Sequence, residues 1–227
     1  MIAIAIDGPA GAGKSTIARR AAAELGYIYV DTGALYRAVG LFMIKKGISP
    51  SDSAAVCPLL EQVQIRLAFQ NGEQKVLLGN GDVTGEIRTP EVSMAASDVS
   101  AIPEVRTFLF SLQQNIAKTN NVVMDGRDIG TVVLPNAQVK IFLTASPEER
   151  AKRRFAEMKE KGEPVVFEEV LADLKKRDYN DSHRTVAPLV PAETAIVVDT
   201  TGNTLEQSVE KLLSIIKSNL NENEWNW

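Results

Sequence analysis

The sequence predicts an α/β fold, in which a parallel sheet is flanked by helices. Three observations lead to this prediction. Short β-branched apolar runs alternate with amphipathic helical patterns along most of the 227 residues, which is typical of successive strand–helix–strand units. A glycine-rich loop joins the first strand to the first helix. Two Asn-Gly turns in the first half of the chain mark a small antiparallel meander, inserted into the parallel pattern.

The glycine-rich loop reads GPAGAGKS and matches the phosphate-loop pattern G-x-x-x-x-G-K-[ST]. The apolar run 1–6 predicts a strand before it, and apolar residues at helical spacing up to Gly26 predict a helix after it. Glycine backbone N–H groups and a helix N-terminus favour an anion. Lys14 can reach the β- and γ-phosphates, and the Ser15 hydroxyl can ligate Mg²⁺. The loop predicts a nucleoside triphosphate ligand, against the alternative of a glycine-rich turn with a chance Lys-Ser. Its predicted contact residues are Gly8, Pro9, Ala10, Gly11, Ala12, Gly13, Lys14, Ser15 and Thr16.

Composition and charge exclude several classes of protein. With 44% hydrophobic and 24% charged residues the chain is an ordinary globular protein. A net charge of −4 argues against non-specific binding to nucleic acids or anionic membranes. One cysteine, Cys57, fits a reducing cytoplasm, and no segment approaches the ~18 apolar residues of a membrane span. We therefore expect a cytoplasmic protein with small-molecule partners and no nucleic-acid or membrane partner.

The predicted strand 27–30 runs into the sequence DTGALYR. Open α/β sheets bind ligands just beyond the carboxyl ends of their strands. Asp31, Thr32 and Arg37 therefore become candidate substrate residues. The alternatives are a helix N-cap for Asp31 and Thr32, and a solvated helix face for Arg37.

The inserted meander comprises predicted strands at 64–69, 74–78 and 82–84, with turns at Asn71-Gly72 and Asn80-Gly81. Such an insert shapes a substrate site or an interface, or is a surface excursion without function. Two helices follow it, the first opened by Thr89 as N-cap before Pro90, and the second by Pro103. Ser97 and Arg106 lie in these helices.

The predicted strand 122–124 delivers Asp125-Gly-Arg-Asp128 to the carboxyl edge of the sheet. A short apolar strand that ends in Asp is typical of an acidic residue near Mg²⁺. Two acids around Arg127 at a strand end are also difficult to explain by packing. We therefore predict a functional role for Asp125, Arg127 and Asp128.

Two later helices carry clusters of charge. In helix 147–161, Arg150, Arg153 and Arg154 share one side, which fits either a solvated face or a lid over phosphates. In the helix from 167 to about 182, the positions of Arg177, Asp181 and Arg184 at i, i+4 and i+7 predict a shared face. That face is either a surface ion pair or a clamp for phosphate and hydroxyl groups. A strand at 195–198 and a helix capped by Thr204 complete the pattern, before a tail with Trp225 and Trp227.

Taken together, these motifs resemble the bacterial-type cytidylate kinases, a family of nucleoside monophosphate kinases. The similarity extends from Ile2 to about Leu213 and leaves the tail after residue 217 uncovered. The motifs that carry it are IDGPAGAGKST, DTGALYRA, GEIRTPEV, DGRDIGTVV, KIFLTAS, ERAKRR and RTVAPLVPA.

The resemblance implies transfer of the γ-phosphoryl group of ATP to CMP or dCMP with Mg²⁺, by a protein with a P-loop NTPase fold. We expect a monomer, because nothing in the sequence demands a larger assembly. It divides the chain into a core, an NMP-binding arm that includes the meander, and a short lid. We expect the core at 1–35, 101–148 and 166–227, the arm at 36–100 and the lid at 149–165.

The resemblance also implies roles for single residues. Arg37 and Arg127 hold the monophosphate, and Ser97, Arg106 and Asp128 read the cytosine edge. Arg177, Asp181 and Arg184 contact the sugar and the phosphates, and Asp31 lies near the sugar. The lid arginines are Arg150 and either Arg153 or Arg154.

The residue types suit phosphoryl transfer between two anions. The acceptor is a phosphate oxygen, so no general base is needed, and arginines must neutralise the charge instead. Two alternatives remain at this point. One is a kinase for another small acceptor, such as UMP, AMP or a metabolite. The other is a P-loop nucleotide switch, although the Asn-Lys-x-Asp motif of guanine-specific switches is absent.

Overall fold

The computed structural model describes residues 1–70, 73–160 and 162–220. The predicted Asn71-Gly72 turn and the tail tryptophans, Trp225 and Trp227, lie outside the described residues. No helix of the described ranges combines the length and the apolar character that a membrane crossing requires.

The predicted α/β architecture with a small antiparallel insert is confirmed. A five-stranded sheet has the strand order β2-β6-β1-β7-β8. Its strands are β1 (Ala3–Asp7), β2 (Ile28–Asp31), β6 (Val122–Gly126), β7 (Val139–Thr144) and β8 (Ile196–Asp199). Strand β7 pairs in parallel with β1 on one side, where Ile6 faces Ile141, and with β8 on the other, where Ile141 faces Ile196. The antiparallel sheet consists of β3 (Ile65–Gln70), β4 (Glu73–Leu78) and β5 (Gly81–Asp82).

Helices fill most of the intervening segments. They are α1 (Lys14–Leu25), α2 (Gly33–Lys45), α3 (Ser53–Val56), α4 (Pro90–Ser100), α5 (Pro103–Thr119), α6 (Pro147–Glu160), α7 (Phe167–His183) and α8 (Leu205–Asn219). The predicted end of α1 is confirmed, because Gly26 adopts a left-handed conformation with φ 69°. Both predicted caps are also present: Thr89 accepts a hydrogen bond from the Val92 N–H, and Thr204 forms a capping box with Gln207.

Two features of the helices differ from the sequence patterns. A short π-helical segment at Ile129–Val133 follows β6, where no helix was predicted. Helix α7 ends at His183, so Arg184 has extended backbone angles (φ −66°, ψ 146°) and does not continue the helical face of Arg177 and Asp181.

The chain forms two compact units. The first contains Ile28–Val122 with Met1, and the second contains Ile2–Tyr27 and the chain from Val123 onward. The core of the first unit is built from α2, α4, α5 and the antiparallel sheet, and includes Leu35, Met43 and Leu109, all fully buried. The second unit buries the apolar faces of β1 and β7 and the stripe of α8. The predicted division into core, arm and lid stays a prediction.

Candidate active site

The phosphate loop of the second unit has the backbone that its glycines allow. Gly8, Gly11 and Gly13 have φ values of 149°, 73° and 83°, which side-chain-bearing residues adopt at a cost. A Cβ atom at Gly8 would also collide with the carbonyl oxygen of Leu143 on β7. The first glycine is therefore required twice, by its own conformation and by the close approach of the neighbouring strand.

Lys14 is buried at the start of α1, and its Nζ donates a hydrogen bond to the Pro9 carbonyl at 2.7 Å. Burial and, to a smaller extent, the charge of Arg127 lower the pKa of Lys14 to about 7, while Asp125 and Asp181 act in the opposite direction. An ammonium group with so low a pKa lies in surroundings that disfavour its charge. The phosphates of a nucleotide would supply the negative charge that restores it.

Ser15 and Asp125 lie together at the loop, where the Ser15 hydroxyl donates to Oδ2 of Asp125 at 3.0 Å. Asp125 is the last but one residue of β6 and is buried. A hydroxyl and a carboxylate are hard oxygen donors of the kind that Mg²⁺ prefers. The described part of the chain contains no group of three or more His, Cys, Asp or Glu side chains that would hold a metal. The hydroxyl–carboxylate pair of Ser15 and Asp125 fits Mg²⁺, which keeps several waters and binds substrate phosphates.

Asp7, which the sequence patterns did not single out, is buried at the end of β1. Its Oδ1 accepts the Ile129 N–H at 2.8 Å, and its Oδ2 accepts the Gly130 N–H at 2.7 Å. Burial raises the pKa of Asp7 to about 6, although both hydrogen bonds act against this shift. The carboxylate thereby ties the phosphate-loop strand to the segment that follows Asp128. An acid that ends an apolar strand directly before the loop was the signal in the sequence.

Arg127 and Asp181 form an ion pair in this unit, with Nε donating to Oδ2 at 2.8 Å. Burial alone would raise the pKa of Asp181, but the positive charges of Arg127 and Arg184 hold it below its ordinary value. Arg177 contributes to the same effect. The structure therefore brings this predicted group together.

Arg184 reaches the same group from outside the helix. Its Nη1 lies 3.8 Å from Oδ1 of Asp181, and its Nη2 lies 3.7 Å from Oδ1 of Asp128. Its Nε donates to the carbonyl of Ala187 at 2.6 Å, and this bond orients the guanidinium after α7 has ended. Ala187 itself has a positive φ of 51°. Tertiary contacts, not helical spacing, thus place Arg184.

Arg150 does not lie on a solvated face. It is 3% exposed, and its Nε and Nη1 donate to the carbonyl oxygens of Ala145 and Ala10 at 2.9 and 2.8 Å. Its Nη2 lies 2.6 Å from Oδ2 of Asp178 on α7. The guanidinium therefore binds the phosphate loop through the Ala10 carbonyl, and Asp178 is a second residue that sequence patterns missed.

The other two predicted lid arginines differ from Arg150. Arg153 donates to the Thr200 carbonyl at 2.8 Å and to the Thr200 hydroxyl at 3.4 Å. Arg154 pairs with the exposed Glu157 at 3.5 Å, three residues along the same helix. Arg153 also lies 3.5 Å from Glu149, four residues before it on the same helix, so Arg153 and Arg154 both make the ion pairs of a charged helix face. Of the three arginines, only Arg150 is buried.

In the first unit, Asp31 is buried at the end of β2, and its Oδ1 accepts the Ala34 N–H at 3.0 Å. The capping interpretation therefore holds for Asp31, whereas Thr32, the N-cap residue itself, makes no side-chain capping bond. Oδ2 lies 3.5 Å from Nη1 of Arg37 and 3.2 Å from Nη1 of Arg88. Burial would raise the pKa of Asp31, but the two arginines hold it below its ordinary value.

Arg88 is thus a third charged residue beside the two predicted ones, Asp31 and Arg37. It lies in the GEIRTPEV motif and ends a three-residue 3₁₀ helix (Glu86–Arg88), which is too short to show a periodicity that would predict a role. Arg106 is buried on α5, donates to the Ser100 carbonyl at 3.2 Å and lies 5.5 Å from the centre of the Tyr36 ring. Ser97 lies one turn before Ser100 on α4, half-buried. The Ser100 carbonyl and the Tyr36 ring thus fix the guanidinium of Arg106, which is one of the two residues in this unit predicted to read the base.

The sheet order, the phosphate loop and the buried Lys14 define the class of the protein: a P-loop nucleotide-binding α/β protein. The family model for cytidylate kinase matches residues 4–218, and the chain belongs to that family. The family predicted from the motifs is therefore confirmed, and with it the expectation of an enzyme that transfers a phosphoryl group.

Curated relatives match almost the whole chain. The cytidylate kinase of Caldicellulosiruptor bescii is 56% identical over 94% of this chain and 95% of its own length. The cytidylate kinase of Carboxydothermus hydrogenoformans is 54% identical over 94% of this chain and 96% of its own length. Among solved structures, an uncharacterised protein from Eubacterium ventriosum has a TM-score of 0.53 at 12% identity, covering 96% of this chain and 99% of its own. That last likeness concerns the fold alone.

Proposed function

We propose that this chain transfers the γ-phosphoryl group of ATP to CMP or dCMP, giving ADP and CDP or dCDP. The observation that carries the proposal is the charge arrangement of the second unit. A phosphate loop with a buried lysine lies in the same compact unit as Arg127, Arg184 and their shared carboxylate, Asp181. The loop suits one anion, the triphosphate of ATP, and the arginines suit a second, the phosphate of the acceptor.

On the donor side, the loop N–H groups and Lys14 bind and orient the phosphates of ATP. Binding restores the charge on Lys14, whose pKa is lowered to about 7, chiefly by burial. Arg150 holds the loop carbonyl of Ala10, which keeps the loop in the conformation that its N–H groups need. Arg153 is the lid arginine that we assign to ATP.

Mg²⁺ would be held by Ser15, with Asp125 accepting the serine hydroxyl and orienting it. The ion supplies charge neutralisation at the phosphate oxygens.

On the acceptor side, arginine is the residue for the monophosphate because its planar fork binds phosphate oxygens in pairs. In the second unit we assign Arg127 and Arg184 to phosphate and Asp181 to the sugar and to the orientation of both arginines. The acceptor oxygen is already anionic at neutral pH, so the chain needs to abstract no proton. Asp128 is assigned to the cytosine.

In the first unit, Arg37 is assigned to the acceptor phosphate, and Ser97 and Arg106 to the cytosine edge. The Arg106 guanidinium is held by the Ser100 carbonyl and the Tyr36 ring, which limits its rotamers. A guanidinium fixed in this way suits recognition of a base edge. A lid at 149–165 that excludes water during transfer, a monomeric state and a cytoplasmic location complete the proposal.

The test is a coupled ADP-release assay with Mg-ATP and a panel of CMP, dCMP, UMP, AMP, GMP, dTMP and no acceptor. We expect release with CMP and dCMP and little with the other nucleotides. Equal release without any acceptor would identify a hydrolase or a switch instead. Binding of ATP without release on any nucleotide would reject the proposed acceptors and direct the search to non-nucleotide metabolites.

A further inference from the structure

We propose that Gln74, on the inserted antiparallel sheet, is a positioning residue for the acceptor half of the reaction: it holds the backbone of Asp31, and through Asp31 it orients Arg37 and Arg88. The consequence for activity rests on the proposed function, whereas the contact itself does not. No feature of the sequence patterns or of the family motifs assigns a role to this glutamine.

The contact is a pair of hydrogen bonds to a single residue. The Gln74 Oε1 accepts the Asp31 N–H at 2.9 Å, and the Gln74 Nε2 donates to the Asp31 carbonyl at 3.2 Å. A carboxamide carries the same donor and acceptor as a peptide group, so this side chain binds Asp31 as a neighbouring strand would. Asp31 is the last residue of β2, which stands at one end of the strand order. The backbone groups of such a strand end need partners from outside the ladder.

The sheet register explains why a glutamine at this position reaches Asp31. Side chains two residues apart on a strand share a face, so Gln74 lies on the same face of β4 as Val76 and Leu78. Val76 is 1% exposed and belongs to the core of the first unit. Gln74 is thus a polar residue in an inward-facing row, and its two hydrogen bonds to Asp31 satisfy the carboxamide there.

The contact between Gln74 and Asp31 affects charged groups through the Asp31 carboxylate. Its Oδ1 is already occupied by the Ala34 N–H, and its Oδ2 lies within 3.5 Å of one nitrogen of each of Arg37 and Arg88. The position of both guanidinium groups therefore depends on where the Asp31 backbone is held. Because the bonds run from β4 to the end of β2, the insert sets the geometry of two arginines that lie outside it.

The test compares Gln74→Leu with the parent. Leucine keeps a similar volume and loses both hydrogen bonds. We expect the KM for CMP to rise roughly fivefold to thirtyfold, which corresponds to one or two hydrogen bonds of ordinary strength. The KM for ATP and the Tm should remain close to those of the parent. The matched control is Gln64→Leu, since Gln64 precedes the same sheet and its side chain is exposed.

Two further measurements separate positioning from a general structural effect. In the Asp31→Ala background, Gln74→Leu should change the KM for CMP less than twofold, because the carboxylate through which it acts is gone. In the single variant, the amide hydrogen of Asp31 should exchange at least about ten times faster than in the parent, since its acceptor is lost. The Gln64→Leu control should leave both values unchanged.

An unchanged KM for CMP in Gln74→Leu would overturn the proposal. So would independent effects of Gln74→Leu and Asp31→Ala, in which the two fold-changes in KM simply multiply. A lower Tm together with a higher KM for both CMP and ATP would also overturn it. If the parent itself shows no CMP-dependent turnover, the proposed function fails, and hydrogen exchange alone decides. Faster exchange at Asp31 would then support the positioning role, and unchanged exchange would reject it.

Discussion

Arg150 on α6 and Asp178 on α7 form an ion pair in which Nη2 lies 2.6 Å from Oδ2, with the guanidinium 3% exposed. The same guanidinium donates to the carbonyl oxygens of Ala10 and Ala145. One side chain therefore joins the phosphate loop, the end of the β7 segment and two helices. Replacing a buried ion pair as a whole by apolar residues often changes the stability little. Removing only one partner is strongly destabilising, because it leaves a buried charge uncompensated.

Arg150→Lys should destabilise the protein by roughly 3 kcal/mol, because an ammonium group cannot satisfy three acceptors in the plane of a guanidinium. Urea denaturation at neutral pH measures the change. Arg154→Lys is the matched control: its partner Glu157 is exposed, and such a surface pair contributes less than about 1 kcal/mol. Equal changes in the two variants would show that the buried network has no special weight.

Lys14→Ala should lower the turnover by roughly a hundredfold to a thousandfold, the usual cost of removing one donor to transition-state charge. Circular dichroism should show the parental fold, since the glycine conformations of the loop do not depend on the lysine side chain. Activity near that of the parent would reject the assignment of the loop to phosphoryl transfer.

Nucleotide binding should also take up a proton. With a pKa of about 7, Lys14 is mostly neutral at pH 8 before ATP is added, and the phosphates of ATP should raise that pKa. Close to one proton should therefore be bound with ATP at pH 8, and less at pH 6, where the lysine is already charged. Calorimetry in two buffers of different ionisation enthalpy counts the protons. Lys14→Ala supplies the baseline for the titration of ATP itself, and identical uptake in both proteins would contradict the prediction.

Asp181→Asn should raise the KM for CMP and dCMP by roughly tenfold or more, since hydrogen bonds to charged groups contribute about 1.5–3 kcal/mol. The physical reason is the loss of the carboxylate that holds Arg127 at 2.8 Å and faces Arg184. Steady-state kinetics with varied acceptor at saturating ATP measures it. Asp173→Asn, on the exposed side of the same helix, is the control. If both nucleotides retain the parental KM, Asp181 has no part in acceptor binding.

Arg106→Gln should reduce the preference for CMP over UMP, measured as the ratio of their kcat/KM values. A neutral, shorter side chain loses the position that the Ser100 carbonyl and the Tyr36 ring maintain. We expect the ratio to fall by roughly tenfold, the effect of about 1.4 kcal/mol. Lys118→Gln, near the end of the same helix, removes a charge without touching this contact and should leave the ratio intact. An unchanged ratio in Arg106→Gln would remove this residue from base recognition.

Asp7 should give the stability a distinct pH dependence. Its folded pKa of about 6 lies above the ordinary 3.8, so the native state binds the proton more tightly. The contribution of Asp7 is therefore complete below pH 3.8 and declines until about pH 6, by roughly 3 kcal/mol in total. Measured against Asp7→Asn, the free energy of unfolding of the parent should fall over this range.

Two other carboxylates must cancel in that comparison. Asp31 and Asp181 have lowered pKa values, so their contributions are present above their ordinary range and are lost as the pH falls. Both are unchanged in Asp7→Asn, and the difference between parent and variant isolates Asp7. A difference that stays constant from about pH 4 to about pH 7 would contradict the prediction.

Much of the fold was predictable because its signals are local. The strand before the phosphate loop, the stop of α1 at Gly26 and the caps at Thr89 and Thr204 all follow from residue type and spacing within a few positions. The family followed from ordered motifs along most of the chain. The π-helical segment at Ile129–Val133 has no such local signal. Its first two N–H groups donate hydrogen bonds to Asp7, which is far away in the sequence.

The candidate site was predictable only in part, for the same reason. An arginine in a three-residue 3₁₀ helix has no periodic signal, and only the distance of 3.2 Å between Arg88 and Asp31 in the structure indicates its place in the site. Spacing placed Arg150 on a helix side but did not show that this side is buried. For Arg184, helical periodicity was the wrong basis, because α7 ends one residue earlier.

By itself, then, the sequence determined the order of strands and helices, the phosphate loop and the kinase family, because periodicity, caps and glycine conformations act over a few residues. Tertiary structure alone decided which distant residues meet. The Ser15–Asp125 hydrogen bond joins positions 110 apart, and the Asp7–Ile129 bond joins positions 122 apart. Those contacts depend on how strands pair and helices pack, and burial by the same packing is the largest cause of the shifted pKa values of Lys14 and Asp7.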